Sequence, residues 1–308
     1  MDRRRVLTSA IAAVAAAGTA WARAPRKRPS LAITIDDFRP FDNGQMSRTR
    51  RNQLILDALQ AHRIKAAGFP VAKFAGDAEG AAVLDAWGAA GHIIGNHTWS
   101  HPNYAHVGLD AFSQDLLKAD SVLNSRPTFR KLIRFPYLSE GDTAQARDDM
   151  RRFLSMAGYR NAGVTIDTSD WYVDLRLRTR LAKIPDQALA PYRDFYLKHI
   201  RDRATYYNDL LLSVTGKSGP HTILLHHTEL NARFLGDVLA MFKAAGWDLI
   251  DADDAFQDPL FDQAPQSLPA GQSLAWALAN QTGRYKNRLR YPGEDGDYEK
   301  PRMDQLGL

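Results

Sequence analysis

From residue 31 to residue 250 the chain alternates short apolar runs with longer stretches of helical period, and no other feature restricts its fold as much. The apolar runs fall at 31–35, 68–71, 92–95, 133–135, 161–166, 222–225 and 247–250. Between them, residues 48–62, 78–90, 109–123, 144–157, 186–212 and 234–245 repeat apolar side chains at three- and four-residue spacing, as Leu54, Ile55, Ala58 and Leu59 do. Strands that alternate with helices build parallel βαβ units. About seven such units predict an α/β fold with a barrel-like parallel sheet in a single domain. No internal repeat and no linker divides it.

The flanks read differently. Arg3, Arg4 and Arg5 precede the apolar run 10–20, and Ala20-Trp21-Ala22 fits a small-x-small cleavage site. Residues 1–22 are therefore expected to be an export signal, which places the mature protein in the periplasm or outside the cell. The Asp-Arg-Arg-x-Val-Leu pattern suggests the twin-arginine route, with an ordinary secretory signal or a retained anchor as the alternatives. The run is too short to span a membrane. Residues 23–260 are expected to form the single folded domain. Beyond Pro259 the chain turns polar and carries Pro265, Pro269 and Pro292, with one helical stretch at 273–279. Residues 261–308 are predicted to pack on the domain or trail from it.

Composition matters at two points. Cysteine is absent, which excludes disulfides, thiolate metal sites and cysteine nucleophiles, so any metal must be held by His, Asp, Glu or backbone oxygen. The formal charge is +5, part of it in Arg3–Arg5, and no concentrated basic face points to nucleic acid.

The chemistry gathers where strands end, the usual location of sites in α/β sheets. The first strand closes on Asp36-Asp37. Adjacent side chains of an extended segment point opposite ways, so the two carboxylates can do different jobs. The third runs into Asn96-His97-Thr98-Trp99-Ser100-His101-Pro102. Histidines four apart can reach one metal ion across a helical turn, and Pro102 makes this a turn or a helix end. The fourth leads to Arg134-Phe135-Pro136-Tyr137, the fifth to Asp167-Thr168-Ser169-Asp170-Trp171 and the sixth to His226-His227. Taken singly, each is an ordinary surface or core polar group. Their joint position at successive strand ends is what points to a site.

In this order the motifs resemble those of the polysaccharide deacetylases of carbohydrate esterase family four. Thr34-Ile35-Asp36-Asp37 resembles the family's Thr-Phe-Asp-Asp, His97-Thr98-Trp99-Ser100-His101 its His-Ser/Thr-x-x-His, and Arg134-Phe135-Pro136-Tyr137 its Arg-x-Pro-Tyr. The Asp167–Trp171 stretch resembles its Asp/Trp motif, and Ile223-Leu224-Leu225-His226 its Leu-x-His motif. The resemblance spans roughly residues 30–255 and implies an irregular (β/α) barrel. It further implies that Asp37, His97 and His101 hold a divalent metal, usually Zn2+, with Co2+, Ni2+ or Mn2+ as other candidates. Asp36 would be the general base, oriented by Arg134. His226 would be the general acid, supported by Asp170. The backbone N–H of Tyr137 would help bind the oxyanion, while Trp171 and Leu224 would shape an acetyl pocket.

The implied activity is hydrolysis of N-acetyl groups on a glycan such as peptidoglycan, a chitin-like oligomer or an exopolysaccharide. O-deacetylation of an acetylated polysaccharide is the alternative. A non-catalytic glycan-binding relative and a two-histidine, one-carboxylate iron oxygenase are further readings; the order of the ligands counts against the last. Several departures from the family pattern stand out. Ile35 replaces an aromatic, Ala66-Ala67-Gly68-Phe69-Pro70 is an unusual second strand, and residues 172–221 are long enough to roof a groove. His227 follows His226 where the family often has Asp, so the two histidines could exchange roles.

Overall fold

A computed structural model describes residues 28–40 and 46–308, so the expected export segment 1–22 lies outside the described residues. In chain order the strands are β1 (Ser30–Asp37), β2 (Ala67–Pro70), β3 (Ile93–Asn96), β4 (Phe129–Ile133), β5 (Ser139–Gly141), β6 (Arg160–Asn161), β7 (His221–His226), β8 (Asp248–Leu249) and β9 (Ala270–Gly271). The helices are α1 (Arg48–His62), α2 (Ala78–Ala89), α3 (Tyr104–Leu123), α4 (Ala144–Ala157), α5 (Asp170–Lys183), α6 (Ala190–Thr215), α7 (Glu229–Ala244), α8 (Ala252–Phe256), α9 (Leu274–Gln281) and α10 (Gly296–Gln305).

Seven strands make one parallel sheet in the order β6-β4-β3-β2-β1-β7, with β8 also on β1. The sheet curls. Residues 160–166 lie against β4 through Asn161 and reach β7 through the Ile166–Ile223 bridge, which draws the two edges together. The result is a curled half-barrel, consistent with the expected barrel-like α/β fold of about seven parallel strands. Of the expected fifth strand, 161–166, only Asn161 joins a ladder, as the end of β6, and Ile166 makes an isolated bridge; between them the backbone N–H of Leu274 donates to the carbonyl of Val164 at 2.5 Å.

Local chemistry explains why α1 and α4 start and stop where the periodicity placed them, while α3 and α7 begin about five residues earlier than expected. Ser47 and Thr143 accept hydrogen bonds from Arg50 N and Ala146 N, capping α1 and α4. Gly158 ends α4 in the left-handed region at φ 75°. β1 is buried on both faces through Leu31, Ala32, Ile33 and Ile35, as a central parallel strand must be.

The unusual second strand has a packing reason. A Cβ at Gly68 would sit 2.8 Å from both the Phe38 ring and Trp87 Nε1, so the bare backbone lets these two aromatics close edge-to-face at 5.1 Å. Gly95 is tighter, since its Cβ would lie 2.4 Å from the Phe69 ring. Gly95→Ala is therefore expected to destabilise the fold by about 1–3 kcal/mol. The check is a lower denaturant midpoint at unchanged slope.

The 172–221 segment forms α5 and α6, and α6 supplies Tyr192, Tyr196, Tyr207 and Leu210 to the core. The tail packs on the domain and brings more structure than the single expected helix. α9 buries Trp276 and Ala279, and α10 buries Met303 against α5. Proline and polar content hid α10, which has Pro301 inside it. Among the described residues no helix is long and apolar enough to cross a membrane.

Candidate active site

The carboxyl ends of β1, β3, β4 and β7 and the start of α5 surround a pocket of about 550 Å³. It takes in Asp36, Asp37, His97, His101, Tyr137, Trp171, Leu224 and His226. Arg134 and Asp170 lie directly behind Asp36 and His226, so all ten expected residues converge.

Asp36 and Asp37 both face this pocket, although alternation along a strand would separate them. Asp37 leaves the extended conformation at φ 79°, which turns its side chain back to the same side. Its Oδ1 lies 3.5 Å from His97 Nε2 and 3.6 Å from His101 Nε2. These three donors form the one group of three or more potential metal ligands among the described residues. Tetrahedral ligands about 2.0–2.1 Å from zinc sit about 3.3–3.4 Å apart, so the separations fit a divalent ion with small inward shifts. The tautomer fits as well. His97 Nδ1–H donates to the carbonyl of Arg134 at 2.7 Å, leaving Nε2 with its lone pair toward the cluster. Burial first, then the neighbouring His97, depress His101 to about 3, so it is the neutral imidazole that a metal requires. Asp37 is held well below the ordinary carboxylate range, because the surrounding histidines outweigh its burial. Arg39 Nε flanks its other oxygen at 3.1 Å.

Asp36 is set differently. It is buried, its Oδ2 lies 3.5 Å from Arg134 Nη1, and its Oδ1 has no hydrogen-bond partner in the protein. Burial raises its pKa, and Arg134, His97 and His226 pull it only part of the way back. A carboxylate with a raised pKa and an unpartnered oxygen at a pocket is a proton acceptor in waiting. Arg134 is itself fixed by Nε to the carbonyl of Ala162 at 2.9 Å and by Nη2 to Thr34 Oγ1 at 3.2 Å. Its guanidinium lies over the Phe69 ring at 4.7 Å.

The two histidines after β7 separate cleanly. His226 reaches the pocket, and its Nδ1 lies 2.7 Å from Asp170 Oδ1 while its backbone N–H donates to Asp170 Oδ2 at 2.8 Å. His227 turns inward, stacked on Phe38 at 4.6 Å with Nε2 beside Asn52. Burial works against a charged His226, but the Asp170 carboxylate outweighs it and lifts the pKa to about 10. Asp170 is held by Asn231 Nδ2 at 2.7 Å, and Tyr196 donates to Asn231 in turn. No local pattern marks Asn231 or Tyr196, which reach the site from α7 and α6.

The backbone around the pocket is unusual. Asp37, Thr98, His101 and Tyr137 all have positive φ, at 79°, 65°, 65° and 57°. Clustered left-handed residues that are not glycine mark a functional site. Thr98 Oγ1 accepts the His101 backbone N–H at 3.0 Å and so shapes the turn that presents that ring. Tyr137 and Trp171 line the pocket at 62% and 42% exposure, as aromatic surfaces open to a ligand. α5 lines the pocket with Asp174, Leu175 and Arg178, so the long segment contributes a wall through this helix. Gln272, Pro292, Glu294 and Asp295 of the tail complete the lining, and sequence patterning did not foresee them.

A family described as polysaccharide deacetylase matches residues 23–162, which include Asp36, Asp37, His97, His101, Arg134 and Tyr137 but stop short of Asp170 and His226. Among curated relatives, the peptidoglycan-N-acetylglucosamine deacetylase of Bacillus cereus is 28% identical over 148 residues, 48% of this chain and 48% of that protein. The chitin deacetylase of a Pestalotiopsis species is 29% identical over 139 residues, 44% of this chain and 43% of that one. The chain thus spans about half the length of the curated relatives it matches. Among solved structures, a peptidoglycan N-acetylglucosamine deacetylase superposes with a TM-score of 0.50 at 22% identity, covering 76% of this chain and 90% of that one. A CE4 family pseudoenzyme from Bacillus anthracis gives 0.52 at 17% identity, covering 75% and 66%. These likenesses show the fold.

Proposed function

We propose, from the match of residues 23–162 to the polysaccharide deacetylase family and from the site geometry, that the chain is a metal-dependent hydrolase removing N-acetyl groups from the amino sugars of a glycan. One observation carries the reading. Asp36, outside the cluster of metal donors, and His226, locked to Asp170, line the same pocket, and Asp36 pairs with His226 in the β1–β7 register. This proximity supports the reading of a base and an acid acting at one reacting centre.

Asp37, His97 and His101 would hold the metal, zinc in the first instance, which when bound supplies Lewis-acid polarisation of the amide carbonyl. Asp36 takes a proton from the attacking water, and Arg134 orients its carboxylate. The Tyr137 backbone N–H supports the developing oxyanion. His226 enters protonated and gives its proton to the leaving nitrogen as the C–N bond breaks. Trp171 and Leu224 enclose the acetyl group. The products are acetate and a free amine on the sugar. Residues 1–22, read as an export signal, put this chemistry outside the cytoplasm, where such polymers lie. Residues 23–260 form the catalytic domain in this reading.

The test is acetate release from peptidoglycan fragments and from oligomers of N-acetylglucosamine, with acetylated xylan as the O-ester comparison. Release from the amides should stop on chelation and return with zinc or cobalt. Metal-loaded protein that frees no acetate from any of them would overturn the hydrolase.

The acid makes a separate prediction. His226 stays protonated up to about 10 only while Asp170 is charged, since burial alone pushes it below its ordinary 6.5. The alkaline limb of the kcat/KM profile should therefore move to lower pH by several units in Asp170→Asn. A limb that stays in place removes His226 from the role.

A further inference from the structure

The tail does more than pack on the barrel. The pocket wall would be open between the loop after β4, which carries Tyr137 and Leu138, and the turn before α5, which carries Asp167 and Ser169. A continuous run of contacts from the tail closes this gap. β9 pairs antiparallel with β5, and Gln272 N–H donates to the carbonyl of Leu138 at 2.8 Å. Gln272 Oε1 accepts the N–H of Gly293 at 2.6 Å. Ser169 Oγ donates to the carbonyl of Asp295 at 3.4 Å. Between these ends Glu294 is clamped, its carboxylate 3.1 Å from Arg203, 2.8 Å from Arg290 and 3.0 Å from the Tyr207 hydroxyl. A buried carboxylate with two arginines and a tyrosine is a rigid anchor.

We propose that this bridge makes the site a one-ended pocket, which takes the terminal amino sugar of an N-acetylated glycan and excludes residues inside the chain. The inference rests on the hydrolase reading above. A polymer lying across a site needs a way in and a way out, and in this proposal Gln272 with Pro292, Glu294 and Asp295, which line the pocket, blocks one of the two. The chemistry of the wall agrees. Glu294 is spent on its arginines, but Asp167 and Asp295 also line the pocket. Burial, then the nearby Glu294, raise Asp167 to about 8, so at neutral pH it is largely a neutral acid that can both donate and accept. A terminal sugar offers a free hydroxyl where an internal one carries a glycosidic oxygen and the next ring. A site that hydrogen-bonds a hydroxyl discriminates strongly against a ligand that lacks it.

The probe is a β-1,4-linked hexamer of N-acetylglucosamine, labelled at its reducing end and treated with the full-length, metal-loaded protein. Mass spectrometry then locates each free amine. The expected product has lost acetate from one terminal residue, preferred over internal residues by roughly tenfold to hundredfold, the range set by one hydrogen bond to a carboxyl group. Acetate lost evenly from internal residues overturns the proposal and leaves the hydrolase standing. No release from the hexamer overturns the proposal, and the hydrolase falls with it only if peptidoglycan fragments and acetylated xylan also release no acetate. Gln272→Ala cuts the bridge at its centre. If it melts as the wild type does, its terminal preference should fall by about tenfold. A folded Gln272→Ala protein with an unchanged preference also overturns the proposal.

Discussion

Asp36→Asn is expected to lower kcat by about 10²–10⁴-fold while metal content stays at the wild-type level. Asparagine keeps the size of the side chain and an oxygen toward Arg134 Nη1, which lies 3.5 Å from the carboxylate. It cannot take a proton from water. The metal should remain because the three-donor cluster is built on the neighbouring carboxylate, with Asp36 Oδ2 3.8 Å from His97 Nε2. Acetate release and elemental analysis on the same preparation decide the matter. Loss of metal together with activity would show that the two carboxylates have been assigned the wrong way round.

Asp37→Asn should give the complementary result. Asp37 Oδ1 is the one anionic donor of the cluster, within 3.6 Å of both histidines. Without its charge only the two imidazoles of His97 and His101 remain as strong donors. Affinity for zinc should fall by more than the roughly 10–100-fold typical of losing an outer partner of a metal ligand. Activity should vanish at ordinary metal concentrations and return in part when zinc or cobalt is raised. Titration against a competing chelator measures the first effect, and the metal dependence of acetate release the second. Tight metal binding by the variant would move the site away from these residues.

Much of this arrangement was legible in the sequence, because it is carried by local pattern. Period-two and period-3.6 runs located β1, β3, β7, α1 and α4, and the polar residues after the strands marked where a pocket forms. What escaped the sequence depends on contacts far apart in the chain. The face of Asp37 is set by one backbone angle at the end of β1. The choice between His226 and His227 is made by Asp170, 56 positions away, and by the Phe38 ring. Asn231 and Tyr196 belong to helices whose apolar period says nothing of two polar members aimed at one carboxylate. The tail was the largest gap. Its bridge consists of short segments without periodicity, joined to the loop after β4 and to α5 by hydrogen bonds that no window of neighbouring residues contains.

Selection for heat resistance alone should damage this protein at four predictable places. Asp37, Thr98, His101 and Tyr137 hold β-carbons in a backbone region that glycine or asparagine occupies at lower cost. Each is strained by about 1–3 kcal/mol, so glycine in its place could raise the melting temperature. Each such gain would delete a proposed metal donor, the hydroxyl that shapes the His101 turn, or the aromatic rim. Consensus or library methods that score survival after heating should therefore enrich inactive variants here, while a screen that also demands turnover should leave all four untouched.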